Sequence, residues 1–382
     1  MNLVSVNIGR ILGIPIRIHW TLWLVFVLIA WSLAAGYLPA AYPQFSASTD
    51  WLVGIISAVL LFISVLIHEL SHSYIAKKNG LPIARITLFF FGGVSEMGEE
   101  PQDAGLEIRM AAAGPLTSFA IAGVLGVAWF AGQLIALPPE VEAVLRYNAF
   151  INAALGGFNL IPAFPLDGGR VLRGSLWRSS KNLLKATRGA TRVSEGLSLL
   201  MIAAGLLLVV FTADIVNGIW ILFLGWFIRS GAETSLRQTE TTEALHGVSV
   251  GDIMTENLLT VGPDVTVQQL VNDYFLVHPH GGHPVVQNDK LQGVVTMSSV
   301  RSIPRERREV ETVRLAMVPY DRLVTIGPAA SAAEALQKMA QKEIGRLIVA
   351  DGDRILGIIT RGDLMKTIRT RQDLGIQNSP YR

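Results

Sequence analysis

Hydrophobic positions in this chain fall into long uncharged runs before residue 230 and into short alternating runs after it. Residues 20–38 form the first run, and a bilayer core takes about 20 apolar residues of helix. Residues 51–76 form a second, whose only charge-capable members are His68, Glu69 and His72. Residues 110–137 make a third, and residues 147–166 a fourth that carries Asn148, Asn152 and Asn159. The block between Arg192 and Arg229 is interrupted near Ala213, Asp214 and Asn217. It predicts two short helices joined by a tight turn, with one long kinked helix as the alternative. About six transmembrane helices are therefore expected. Residues 83–97 (IARITLFFFGGVSEM) are β-branched and aromatic and break at Gly92-Gly93, which predicts a strand or hairpin. Lipid excludes open sheet edges, so this element must be buried in protein or line a cavity. Ile14–His19 is a candidate strand beside it.

After Val248 the period shortens. LLTVGPDVTV, QQLVNDYFL and PVVQNDKLQGVVT read as strand, helix and strand pair, and the plan recurs about 65 residues later. Val261-Gly262-Pro263 matches Ile326-Gly327-Pro328, and the run from Leu291 to Thr296 matches that from Ile355 to Thr360. An internal repeat of two α/β units follows. The expected layout is a membrane domain over 1–230, a linker over 231–247, repeats over 248–306 and 307–370, and a tail over 371–382.

Composition sharpens this division. Charged residues are 16% of the 382 and hydrophobic ones 51%, against about 25% charged in soluble domains. Mean hydropathy is +0.43. A net charge of +2 gives no reason to expect nucleic acid as a partner. With no cysteine, any metal must be held by His and carboxylate. No small-residue cleavage motif follows the first run, so a cleavable signal peptide is not expected. Lys and Arg alternate between loops: Arg10 and Arg17 precede the first helix, residues 39–50 hold none, and Lys77, Lys78 and Arg85 follow the second. Seven basic residues lie between Arg170 and Arg192, none near Asp214, and Arg146 is the exception. This alternation places both termini and the repeats in the cytoplasm of a multi-pass protein. The lack of organelle signals suggests a prokaryotic cell membrane.

His68-Glu69-Leu70-Ser71-His72 is the chemical signal. Residues four apart share a helix face, so both imidazoles can grip one Zn²⁺ with Glu69 beside it as general base. Alone, HExxH is a weak pattern. Within an otherwise apolar helix it is much stronger, because intramembrane ionisable residues are costly and by default functional. His72 lies five residues before Lys77, about 8 Å along a helix, and His68 about 14 Å. The fourth helix, read as ending at Asp167, brings a carboxylate to similar depth. Asp167 then supplies the third protein ligand that a catalytic zinc needs.

HELSH followed by NLIPAFPLDGGR (159–170) resembles the site-2 protease family of intramembrane zinc metalloproteases, over about residues 14–229. The resemblance implies zinc ligands at His68, His72 and Asp167 and catalysis by Glu69. It also implies that Asn159 holds the substrate backbone or stabilises an oxyanion. Gly92-Gly93 and Ala113-Gly114-Pro115 look like the family's edge-strand and third-helix motifs. Gly114 would let a helix approach the site closely. The substrate implied is a single-pass membrane protein, either a membrane-tethered regulator or a signal-peptide remnant. Its extended segment would add as a strand against residues 83–94. Pro162 and Pro165 would break the fourth helix near the site.

The repeats resemble a tandem pair of CBS (cystathionine β-synthase) domains over about 248–368. Such pairs bind adenosine-containing ligands and often associate face to face, so an adenine nucleotide (ATP, ADP or AMP) and a homodimer are implied. Thr360 and Asp363 match the ribose-binding positions, whereas the first repeat has Thr296 but Ser299 in place of the Asp. At most one strong nucleotide site is expected. His278, His280 and His283 are read as a solvated loop rather than a metal site. A transporter would need an inverted repeat, which is not found in the membrane half. Intact His68, Glu69, His72 and Asp167 argue against a catalytically silent relative, and the hydrophobic runs rule out a soluble protease.

Overall fold

The computed structural model describes residues 5–90, 92–97, 101–212, 214–256, 258–278, 281–288, 290–352 and 354–374. It divides into two compact units, Met1–Thr239 and Glu240–Arg382.

The first unit opens with strands β1 (Ser5–Ile11) and β2 (Ile14–His19), followed by helices α1 (Thr21–Ala41) and α2 (Ala47–Lys78). Strands β3 (Ile83–Phe89) and β4 (Gly92–Met97) come next, then α3 (Ala104–Leu134), α4 (Pro139–Asn159) and α5 (Asp167–Ser180). Helix α6 (Leu183–Thr212) and helix α7 (Ile215–Leu245), the latter as far as Thr239, complete it. Among the described residues, five helices (α1, α2, α3, α6 and α7) are long and apolar enough to cross a membrane. The chain is thus a multi-pass membrane protein. The sixth expected helix exists as α4, but Glu140, Glu142, Arg146 and three Asn leave it too polar to count as a span.

Local chemistry sets the ends of α2. Ser46 caps it by accepting from Thr49 N at 3.2 Å, Asp50 lies in its first turn and Lys77 and Lys78 in its last. Acid at the start and base at the end suit the helix dipole. Over 32 residues α2 runs about 48 Å, longer than a bilayer core. The strands form one sheet in the order β1-β2-β3-β4, with β2 and β3 parallel and the outer pairs antiparallel. Ile14, Ile16, Ile86 and Leu88 alternate onto one face and pack with Leu22 and with Phe62, Val65, Leu66 and Leu70 of α2. The sheet is thereby fixed against the helix that carries HELSH.

Three expectations change. The fourth helix ends at Asn159 instead of Leu166, because the chain turns through Ile161, Pro162 and Pro165 before α5. Asp167 therefore opens a new helix. Residues 193–229 belong to two helices, as first read, but these are about 30 residues each rather than short. The stretch read as a linker is helical as far as Leu245, and Ala244 and Leu245 pack into the core of the second repeat.

The second unit contains two three-stranded sheets, β5-β6-β7 (Gly282–Gln287, Lys290–Thr296, Val318–Pro319) and β10-β9-β8 (Arg354–Thr360, Arg346–Asp351, Thr325–Ile326). Each repeat has its own apolar core. The registers agree: Gly282 pairs with Thr296 as Arg346 pairs with Thr360. The histidine expectation is corrected in part. His283 is a fully buried member of β5, its Nδ1 3.1 Å from Leu259 O and its ring against Tyr274 and Phe275. His280 lies outside the described residues.

Candidate metal centre

The α2 helix puts His68 and His72 one turn apart on a buried face. Their rings stand 4.9 Å apart and nearly perpendicular. Opposite them is Asp167, the first residue of α5, delivered by the turn that Pro162 and Pro165 impose. Asp167 Oδ2 lies 3.1 Å from His68 Nε2 and 3.2 Å from His72 Nε2. Among the described residues these three form the one group of His, Cys, Asp and Glu able to hold a metal, with ligand atoms within 4.8 Å of one another.

The outward nitrogens define the chemistry of the inner ones. His72 Nδ1 lies 2.6 Å from Met110 O, and a carbonyl only accepts, so this nitrogen carries a proton. His68 Nδ1 lies 2.9 Å from Ser118 Oγ. With Nδ1 protonated, a neutral His72 turns an Nε2 lone pair toward the Asp167 carboxylate. Two acceptors at 3.2 Å repel unless a cation lies between them, as a proton or a metal ion would. Two imidazole nitrogens, each ring held from behind, and one carboxylate oxygen fit the three-ligand set of a catalytic zinc.

Two glycines leave room for this arrangement. A Cβ on Gly114 of α3 would stand 2.2 Å from His72 Nε2 and 2.5 Å from His68 Nε2, inside the space a metal needs. A Cβ on Gly93 of β4 would stand 2.2 Å from Glu69 Cγ. The glycines of the Gly92-Gly93 and Ala113-Gly114-Pro115 runs thus let strand and helix close on the HELSH face. Glu69 lies next to the cradle on α2, against β4.

The helix that Asp167 opens is tied to α3 by a buried ion pair. Glu107 of α3 is fully buried and pairs with Arg173 of α5, while Arg170 Nε stands 4.0 Å away. Arg173 also lies over the Phe164 ring. Gly168 and Gly169 approach the 160–164 turn so closely that a Cβ on either would stand 2.3–2.5 Å from its backbone. Sequence reading missed Ser118 and the Glu107–Arg173 pair. Ser118 was findable in principle, one turn beyond Gly114 on the same helix.

Asn159 is the last residue of α4, and its amide nitrogen donates to Leu155 O at 3.0 Å, within its own helix. Its hydrogen bonding does not join it to the cradle. In the second unit, Asp363 Oδ2 accepts from Thr360 N (2.9 Å) and Thr360 Oγ1 (2.7 Å), capping the helix Arg361–Asp373. Thr296 and Ser299 repeat that cap in the first repeat.

This geometry meets its comparison in known sequences. Residues 56–137 and 127–204, which include all three cradle residues, match the model of Peptidase family M50, and residues 250–306 and 314–370 each match the CBS domain. A zinc metalloprotease of Methanocaldococcus jannaschii is 34% identical over 95% of this chain and 96% of its own length. The Mycobacterium tuberculosis protein Rip3 is 33% identical over 95% of this chain and 93% of its own. The chain belongs to peptidase family M50. This M50 chain is also 34% identical to a solved site-2 protease from M. jannaschii, over 61% of this chain and 96% of that one, with a TM-score of 0.40. As an M50 member it is a zinc metalloprotease, with a CBS pair following its membrane helices in the chain.

Proposed function

We propose that His68, His72 and Asp167 ligate one zinc ion and that Glu69 is the general base, in an enzyme that cuts peptide bonds within or near transmembrane segments. The observation carrying this reading is the convergence of the two Nε2 atoms and a carboxylate oxygen within 4.8 Å, beside Glu69. Zinc held there supplies Lewis-acid chemistry, polarising a carbonyl and acidifying water. Glu69 takes the proton from the attacking water and returns it to the leaving amine. Met110 O and Ser118 hold the imidazoles in orientation. Asn159 would bind substrate backbone or oxyanion once its side chain leaves Leu155 O.

The substrate must be extended to be cut, and the sheet suggests where. Of the stretch 83–94 first expected to take it, β3 has both sides occupied, by β2 and β4, so only the part in β4 can. The outer edges of β1 and β4 remain, and Gly93 on β4 adjoins Glu69. A single-pass substrate would pair on β4. The remaining parts of the reading are cytoplasmic termini and CBS pair, adenine nucleotide at Thr360 and Asp363 as regulator, and pairing of CBS units into a homodimer.

The test is cleavage of a model single-pass substrate by purified protein, wild type against Glu69→Gln, with zinc measured on both. The expected result is a variant that holds zinc and does not cut. Wild type that binds no zinc would overturn the ligand assignment, and a Glu69→Gln enzyme that still cuts would remove the base.

A further inference from the structure

Helices α2 and α3, with Leu12 of the β1–β2 turn, line a groove of about 710 Å³. Ile67, Leu70 and Tyr74 of α2 form one wall, and Ala112, Ala113 and Leu116 of α3 the other. Ile67, Tyr74 and Leu116 are exposed although both helices are membrane spans, so the groove opens toward lipid. Its floor is polar at one point, where Thr117 Oγ1 donates to Ala113 O and the single proton of Ser71 Oγ is shared between Thr117 Oγ1 at 2.9 Å and Ile67 O at 2.8 Å. The floor is therefore satisfied, and the remaining surface suits an extended hydrocarbon chain.

The mouth of the groove has a different character. Arg109 lines it, exposed, and among the described residues it has no ion-pair partner. Lys77 and Lys78 end α2; Asp103, which caps α3, accepts from Leu106 N, and Glu107 on α3 is buried against Arg173. Leu12 overhangs the mouth. It sits in the β1–β2 turn with φ +54°, a left-handed conformation costly for a leucine. Lys77 Nζ holds it there by donating to Leu12 O at 2.6 Å. An exposed apolar side chain kept in a strained turn over an apolar groove, beside an unpaired guanidinium, points to an amphipathic occupant with a negative head.

We propose that this groove binds one anionic phospholipid, its phosphate on Arg109 and one acyl chain along α2 and α3 beneath Leu12. Guanidinium matches phosphate oxygens in a bidentate fork, and basic pockets between membrane helices suit anionic head groups. The occupant would lie on the outer side of the helix whose inner face carries His68 and His72.

The experiment uses the full chain in mixed micelles of equal phosphatidylglycerol and phosphatidylcholine, with retained lipid read by native mass spectrometry. Wild type should retain phosphatidylglycerol over phosphatidylcholine by roughly fivefold, and Arg109→Gln should bring the two to parity while zinc content stays unchanged. Independently of any variant, phosphatidylglycerol bearing a photoreactive group in its acyl chain should label residues 67–75 and 108–117 of wild type. Equal retention of the two lipids by wild type, an undiminished preference in Arg109→Gln, or labels confined to other helices would each overturn the proposal. So would the finding that a copurifying apolar peptide occupies the groove in place of lipid.

Discussion

At the scale of the residue, the centre depends on atoms that are missing as much as on those present. Gly114→Ala would put a methyl carbon 2.2 Å from His72 Nε2, so loss of zinc and of activity is expected in a protein that still folds. Zinc per chain, measured beside circular dichroism, checks this. Ser118→Ala removes the partner of His68 Nδ1 and should weaken zinc binding by about 10–100-fold, read by competition with a chelator. HELSH and the Asp167 motif were legible because their residue types have few other uses inside an apolar helix. Met110 O was not legible, since any residue supplies a carbonyl and only the fold selects which one. Thr360 and Asp363 show the opposite difficulty. The pattern that suggests a ribose contact is also the pattern of a capping box, and the structure contains that box.

Elements bring these residues together, and their ends were the hardest part to read. Apolar runs announced α1, α2 and α3, because lipid demands length and imposes uniformity. The end of α4 and the start of α5 were misplaced by several residues, since helix and turn there share the same apolar composition. β1 escaped notice because Ser5–Ile11 is exposed throughout and shows no buried alternation. Position in the sheet, which left β4 and not β3 at an open edge, depends on pairing that no local pattern encodes. Val94→Pro on β4 should abolish cleavage while zinc stays bound, which a cleavage assay with parallel metal analysis would check. The Glu107–Arg173 pair ties α5 to α3 in the buried interior. Glu107→Gln leaves a buried guanidinium uncompensated and should cost about 3–5 kcal/mol, seen as a large fall in the unfolding temperature in detergent.

Across the whole molecule, one chain carries an M50 membrane unit and a CBS unit. If the pair senses adenine nucleotide, the intact protein should bind at most one equivalent of ATP, ADP or AMP by calorimetry, and Asp363→Ala should remove that binding. The two repeats were plain in the sequence, because duplication writes the same glycines and β-branched runs twice. The continuation of α7 to Leu245 was not, because its polar stretch after Arg229 reads like a linker while still being good helix. The distance along the chain between the cradle's two halves has a consequence for biogenesis. His68 and Asp167 are separated by 99 positions, and Arg173, which ties the helix of Asp167 to α3, comes later still. At about 5–20 residues per second, a nascent chain exposes its paired histidines for roughly 5–20 s before the carboxylate exists. The protease thus enters the membrane unable to complete its metal site, and a newborn copy stays inactive until the helix after Pro165 has been synthesised and docked.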